Sequence, residues 1–124
     1  MKTLLTSFAA LFISLNAFSV TPNQDLKKAL IVTVKAKPGK GKQALDYLAS
    51  ANPLKVVANE KETKTWYFVK LNEETFYVFD TFTTEEGRNV HIAGDIPKAV
   101  IAKPDLFFPL EVKKVDIIMS AQPK

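Results

Sequence analysis

The stretch Thr65–Phe82, TWYFVKLNEETFYVFDTF, decides the fold. Two runs dense in aromatic and β-branched residues, Thr65–Leu71 and Thr75–Phe82, flank the short polar connection Asn72-Glu73-Glu74, which is the pattern of an antiparallel hairpin. Side chains alternate across a strand, so Phe76, Val78 and Phe82 share one face of the second run while Tyr77 and Phe79 take the other. Upstream, Ala29–Ala36 (ALIVTVKA) is a further strand, stopped by Lys37-Pro38-Gly39, with Leu30, Val32 and Val34 on one face and Ile31 on the other. From Lys42 to Ala51, Ala44, Leu45, Leu48 and Ala49 recur at helical spacing and give a helix one apolar face. Pro53 interrupts that helix, and Leu54, Val56 and Val57 form a short helical or irregular piece before the polar turn Asn59–Lys64. Downstream, Thr83 with Glu86 three residues later fits a capping box and predicts a helix from near Thr84 to about Gly94. Pro97 suits the first turn of another short helix through Ala102. The apolar loop Leu106-Phe107-Phe108, between Pro104 and Pro109, then leads to a last strand over Val112–Met119.

The order βαββαβ predicts an α+β, ferredoxin-like domain: a four-stranded antiparallel sheet with helices on one face. Both sheet faces carry apolar side chains and two helices cover only one of them. A homodimer closed by a second copy of the sheet is therefore expected, because the loop between Pro104 and Pro109 is too short to cover four strands.

The 124 residues suffice for one domain, and 47% hydrophobic with 24% charged residues is an ordinary globular balance. The formal charge of +4 comes from scattered lysines and a single arginine, Arg88, without the clustered stripe that phosphate recognition needs, so no nucleic-acid partner is expected. Cysteine is absent, which removes disulfides, thiolate nucleophiles and cysteine-rich zinc sites. With one histidine, no metal site is expected. There is no Gly-rich phosphate loop and no nucleophile elbow; Gly39-Lys40-Gly41-Lys42 reads as a solvated strand-to-helix turn.

The amino terminus reads as an export signal over residues 1–19: Lys2 gives a positive start, Leu4–Leu15 is apolar, and Ala17-Phe18-Ser19 offers small residues for cleavage. That run is shorter than the roughly 20 residues a membrane span needs, so no stable membrane insertion is expected once the leader is removed. The mature chain would be periplasmic or secreted, with a flexible segment over 20–27 and the domain over 28–124.

Trp66-Tyr67-Phe68-Val69-Lys70, Thr75–Phe82, Glu85-Glu86-Gly87-Arg88, His91-Ile92-Ala93-Gly94, Lys114-Val115-Asp116 and the Lys37-Pro38-Gly39-Lys40 turn, taken in this order and spacing, resemble the antibiotic biosynthesis monooxygenase (ABM) domain in its small single-domain form. The resemblance covers nearly the whole mature chain and implies a dimeric α/β barrel. It further implies a cofactor-independent monooxygenase acting on a small aromatic or quinol, with a non-catalytic dimeric protein that binds a small apolar or aromatic ligand as the alternative. On that likeness Trp66 would stack on a flat substrate. His91 would serve as base or hydrogen-bond a quinol hydroxyl, its ordinary pKa of about 6.5 suiting proton transfer near neutrality. Asp80, the second catalytic candidate and an acid inside an apolar strand, must find a partner or shift its pKa upward, and Arg88 and the backbone at the start of the helix near Thr84 are the candidate partners. Tyr67, Tyr77, Phe79 and Arg88 are the remaining candidates for contact with substrate. Haem-degrading relatives carry an asparagine in the first strand and a later histidine; Ala29–Ala36 and Ile96–Ala102 hold neither, so haem degradation is not expected. The relatives' Pro-Gly turn before the second strand is Lys61-Glu62 here.

Overall fold

In a computed structural model, which describes residues 20–22 and 26–123, the chain forms β1 (Val20–Pro22), β2 (Lys28–Lys35), α1 (Gly41–Ser50), α2 (Pro53–Ala58), β3 (Thr63–Lys70), β4 (Thr75–Phe82), α3 (Glu85–Ile92), α4 (Asp95–Ile101), β5 (Glu111–Asp116) and β6 (Ala121–Pro123). The expected leader lies outside the described residues.

Leu26–Ile117 is one compact unit, built on an antiparallel sheet in the order β3-β4-β2-β5. The two crossings, β2 to β3 over α1 and α2 and β4 to β5 over α3 and α4, each skip one strand and lay their helices on a single face, as the ferredoxin-like order requires. Register fixes which side chains meet the helices: Leu30 pairs with Asp80, Val32 with Val78 and Val34 with Phe76. On the other side of β4, Trp66 stands opposite Asp80 and Phe68 opposite Val78. Phe76, Phe82 and Leu30 are fully buried there against Ala44, Val100 and Phe107. Each large apolar side chain so enclosed contributes about 1.5–3 kcal/mol relative to exposure.

Local chemistry moves several boundaries. The cap of α3 is Thr84, whose hydroxyl accepts from the Gly87 N–H at 3.0 Å, one residue later than the expected box on Thr83 and Glu86. Thr83 instead donates its hydroxyl to Glu62. Strand β3 starts two residues early across a bulge between Thr63 and Thr65. The last sheet strand ends at Asp116 rather than running to Met119, with one further bond in the same register from the Ile117 N–H to the Lys27 carbonyl. Helix α4 opens at Asp95, placing Pro97 within its first turn, where the missing N–H leaves no helical bond unmade. The loop after Pro104 turns to the helix side: Phe107 is buried beside Tyr47, and the opposite sheet face stays uncovered by it.

The terminal residues form a separate unit, in which β1 pairs antiparallel with β6, Val20 opposite Pro123. The stretch 20–27, expected as a flexible segment, thus contains a strand. Among the described residues no helix is long and apolar enough to cross a membrane.

Candidate functional site

The period-two pattern of β4 puts Asp80 on the helix-facing side, where it is completely buried. A carboxylate stripped of water there must be paired or protonated. Its partner comes from α3, whose buried stripe Gly87, Arg88 and His91 lies on the sheet. His91 Nε2 approaches Asp80 Oδ2 at 2.7 Å. The ring N–H is not aimed along this contact, so neither Asp80 oxygen makes a well-aligned hydrogen bond among the described residues. The ring also lies 5.6 Å from the centroid of Phe82, tilted by 50°.

The other imidazole nitrogen is taken by a residue that the sequence reading did not single out. Nδ1 donates to Glu60 Oε1 at 2.6 Å, and the Thr63 hydroxyl donates to the same oxygen at 2.7 Å. Glu60 lies in the turn between α2 and β3, and its side chain is 14% exposed against 5% for His91 and 0% for Asp80. Asp80, His91 and Glu60 therefore form a line from the interior toward water. Burial pushes the Asp80 carboxyl above the usual carboxylate range, with His91 opposing the rise. Burial alone would hold the His91 pKa down, but Asp80 and Glu60 together outweigh it and raise it. Each ring nitrogen thus faces a carboxylate oxygen, Nδ1 that of Glu60 and Nε2 that of Asp80.

Between the sheet and the helices, a cavity of about 390 Å³ is walled by Trp66, Phe68, Val34 and Val78 from the strands and by Leu45, Leu48, Ala99 and Val100 from the helices. That volume falls within the range of small-molecule sites. A smaller cavity of about 50 Å³ shares Val34, Trp66, Val78, Ile96 and Val100 with it and adds His91 to the wall. Trp66 stacks nearly parallel to Phe68, with ring centroids 6.1 Å apart, and its indole Nε1 is buried with no hydrogen-bond partner among the described residues. A third hollow, of about 530 Å³ and more polar, is lined by Asn52, Lys55, Asn59, Glu60, Val90 and Asp95.

The structure brings Trp66, His91 and Asp80 together on one side of the sheet. Tyr67, Tyr77 and Phe79 lie on the other side, away from the cavities, because they occupy the alternate positions of β3 and β4. With Val69 and Ile31 they make an open apolar face, with Tyr67 56% and Phe79 41% exposed. Arg88 is buried but is not the partner of Asp80: its guanidinium donates to the carbonyls of Ala29 and Val115, at 3.3 and 3.0 Å, and to Glu85. These two carbonyls belong to paired residues of β2 and β5, so Arg88 ties α3 to the sheet. No group of three or more His, Cys, Asp or Glu side chains among the described residues is arranged to hold a metal ion.

No protein-family model and no curated protein matches the sequence. Among solved structures, the chain is 36% identical to the NE2512 protein of Nitrosomonas europaea, a protein of unknown function, over 82% of this chain and 99% of that one, with a TM-score of 0.73. It also superposes on two proteins provisionally named antibiotic biosynthesis monooxygenases. The one from Nitrosomonas europaea is 13% identical over 73% of this chain and 98% of its own, with a TM-score of 0.61. The one from Chloroflexus aurantiacus J-10-fl is 11% identical over 74% and 93%, with a TM-score of 0.55. At these identities the latter two establish the fold.

Proposed function

The chain belongs to the family represented by the NE2512 protein of Nitrosomonas europaea and has the fold of the ABM-like proteins, and from that premise we propose that it is an exported, cofactor-independent monooxygenase for a small aromatic or quinol substrate. The observation that carries this reading is the apolar cavity against Trp66, whose buried indole N–H has no partner among the described residues. A flat phenolic ring fits between such walls, and its oxygen is the acceptor this N–H lacks. The reaction takes a phenolic C–H and O–H and one molecule of oxygen. One oxygen atom becomes the new carbonyl of a quinone, and the other leaves as water with the two hydrogens. The substrate supplies the electrons; the protein supplies a dry, aligned pocket and a destination for the phenolic proton in the Asp80–His91 pair.

The second reading, a non-catalytic binding protein, draws on the double engagement of His91, which leaves the imidazole no free lone pair. Both readings include a homodimer closed over the face of Ile31, Tyr67, Val69 and Phe79, an apolar patch that water disfavours.

Trp66 is the chain's single tryptophan, so its fluorescence reports the cavity directly. Titration with small hydroquinones and naphthols, with oxygen uptake followed in the same samples, separates the outcomes. Quenching in the native chain with oxygen uptake above autoxidation, the uptake being lost in Trp66→Phe, supports the oxygenase. Quenching without uptake supports the binding protein, and neither response rejects the cavity as a ligand site.

A further inference from the structure

We infer that Glu60 is a proton-relay residue, carrying protons between the polar hollow beside α2 and His91 in the wall of the inner cavity. Three observations converge on it. Glu60 Oε1 receives both the His91 Nδ1–H, at 2.6 Å, and the Thr63 hydroxyl, at 2.7 Å, which fixes the carboxylate in line with the ring. The same side chain lines the hollow of about 530 Å³, so the carboxylate that touches the imidazole also reaches water. On the far side of the ring, Asp80 is sealed from solvent and lines none of the three hollows described above, so it offers no outlet of its own.

The charged groups facing the imidazole are Asp80 from β4 and Glu60 from the turn before β3. Arg88, one turn back on α3, points away to the carbonyls of Ala29 and Val115, and Lys55 and Asp95 line the hollow at Glu60. Within this set a single proton passes without redox change. From the neutral ring with its proton on Nδ1, a proton arriving at the Asp80–His91 contact binds the Nε2 lone pair, the Nδ1 proton moves to the Glu60 carboxylate at Oε1, and Glu60 releases it to water in the hollow. The reverse order reloads the pair. The neighbouring backbone keeps the path open: a Cβ built on Gly94 would stand 3.3 Å from Glu60 Oε2, so the glycine leaves that oxygen room at the hollow's edge.

The use of this path in turnover rests on the oxygenase reading, but its test does not. His91 is the only histidine, so its ring nitrogens give unambiguous 15N signals in the ligand-free native chain. The measurement is exchange of the Nδ1 proton with water, beside the melting temperature, in the native protein, Glu60→Gln and Thr63→Val. Glutamine still accepts from Nδ1–H but cannot take up the proton, so exchange slows by about 10²-fold or more, the scale on which a positioned proton-transfer group acts. Thr63→Val keeps the carboxylate and exchanges near the native rate. Native exchange in a folded Glu60→Gln overturns the relay, and so does equal slowing in both variants. A Glu60→Gln chain that fails to fold makes Glu60 a structural partner of His91 and overturns it as well.

Discussion

Replacing His91 with alanine separates a buried ion pair from a packed ring. In the native chain Asp80 has no exposed surface, and the imidazole at 2.7 Å is its counter-charge. Truncation leaves a carboxylate in the interior without a cation, since the guanidinium of Arg88 is committed to Ala29, Val115 and Glu85. Breaking one side of a buried pair costs about 3–5 kcal/mol. At roughly 4–8 °C per kcal/mol for a domain of this size, the melting midpoint at pH 7 falls by about 12 °C or more. Asp80→Asn, added to the same chain, removes the stranded charge and recovers a large part of the loss, so the double variant is more stable than His91→Ala alone. The pH dependence fixes the cause. A group whose folded pKa is raised contributes stability that is present below its unfolded pKa and is lost as pH rises through the folded value. In the native protein both groups are raised, so stability falls as pH rises above about 3.9 through the Asp80 pKa and again above about 6.5 through that of His91. In His91→Ala the window above about 6.5 disappears, and the loss above about 3.9 grows because no imidazole opposes the rise of Asp80. Urea denaturation of native, single and double variants at pH 4.5, 6 and 8 reads both effects. A His91→Ala chain within about 1 kcal/mol of native at all three pH values, or a double variant no better than the single, refutes the pair as a stabilising unit.

Gly41→Ala is expected to destabilise by about 1–3 kcal/mol, against the usual gain for alanine in a helix, because its Cβ would stand 2.0 Å from the Glu73 carbonyl oxygen and the hairpin turn must shift; a raised midpoint in thermal denaturation rejects this close approach. Phe79→Asp should turn a native dimer into a folded monomer in sedimentation, since the side chain is 41% exposed on the uncovered face; a native protein already monomeric at micromolar concentration removes the dimer. Mass analysis of the protein recovered from its host should show a chain beginning at or near Val20, and an intact Met1 in the cytoplasm refutes the export signal.

Much of the fold was legible because its signals are local. The hairpin Thr65–Phe82 announced itself through β-branched and aromatic density, and the alternation of Phe76, Val78 and Phe82 against Tyr77 and Phe79 is the alternation observed. Boundaries failed where a tertiary bond replaced a local one. Thr83, with Glu86 three residues on, is the better capping box in sequence, but its hydroxyl goes to Glu62 and Thr84 closes the helix.

The site was legible only in part, for the same physical reason. Aromatic residues cluster in β3 and β4, but composition cannot say which parity of positions meets the helices. Trp66 and Phe68 face inward to wall a cavity, while Tyr67 and Val69, one residue along, face outward onto the open sheet. Asp80 was marked by its apolar surroundings, yet the nearest sequence candidate, Arg88, satisfies backbone carbonyls instead, and the partner is one turn further along α3. Glu60 carried no mark at all: a glutamate in a polar turn reads as solvated, and only the approach of α3 brings its carboxylate to 2.6 Å from His91. The two faces of the sheet thus divide the chemistry. The helix side holds the cavity against Trp66, with His91 in the wall of the smaller hollow beside it and the carboxylates of Asp80 and Glu60 on either side of the ring. The open side presents Ile31, Tyr67, Val69 and Phe79 to water as an apolar patch, which fits it for association.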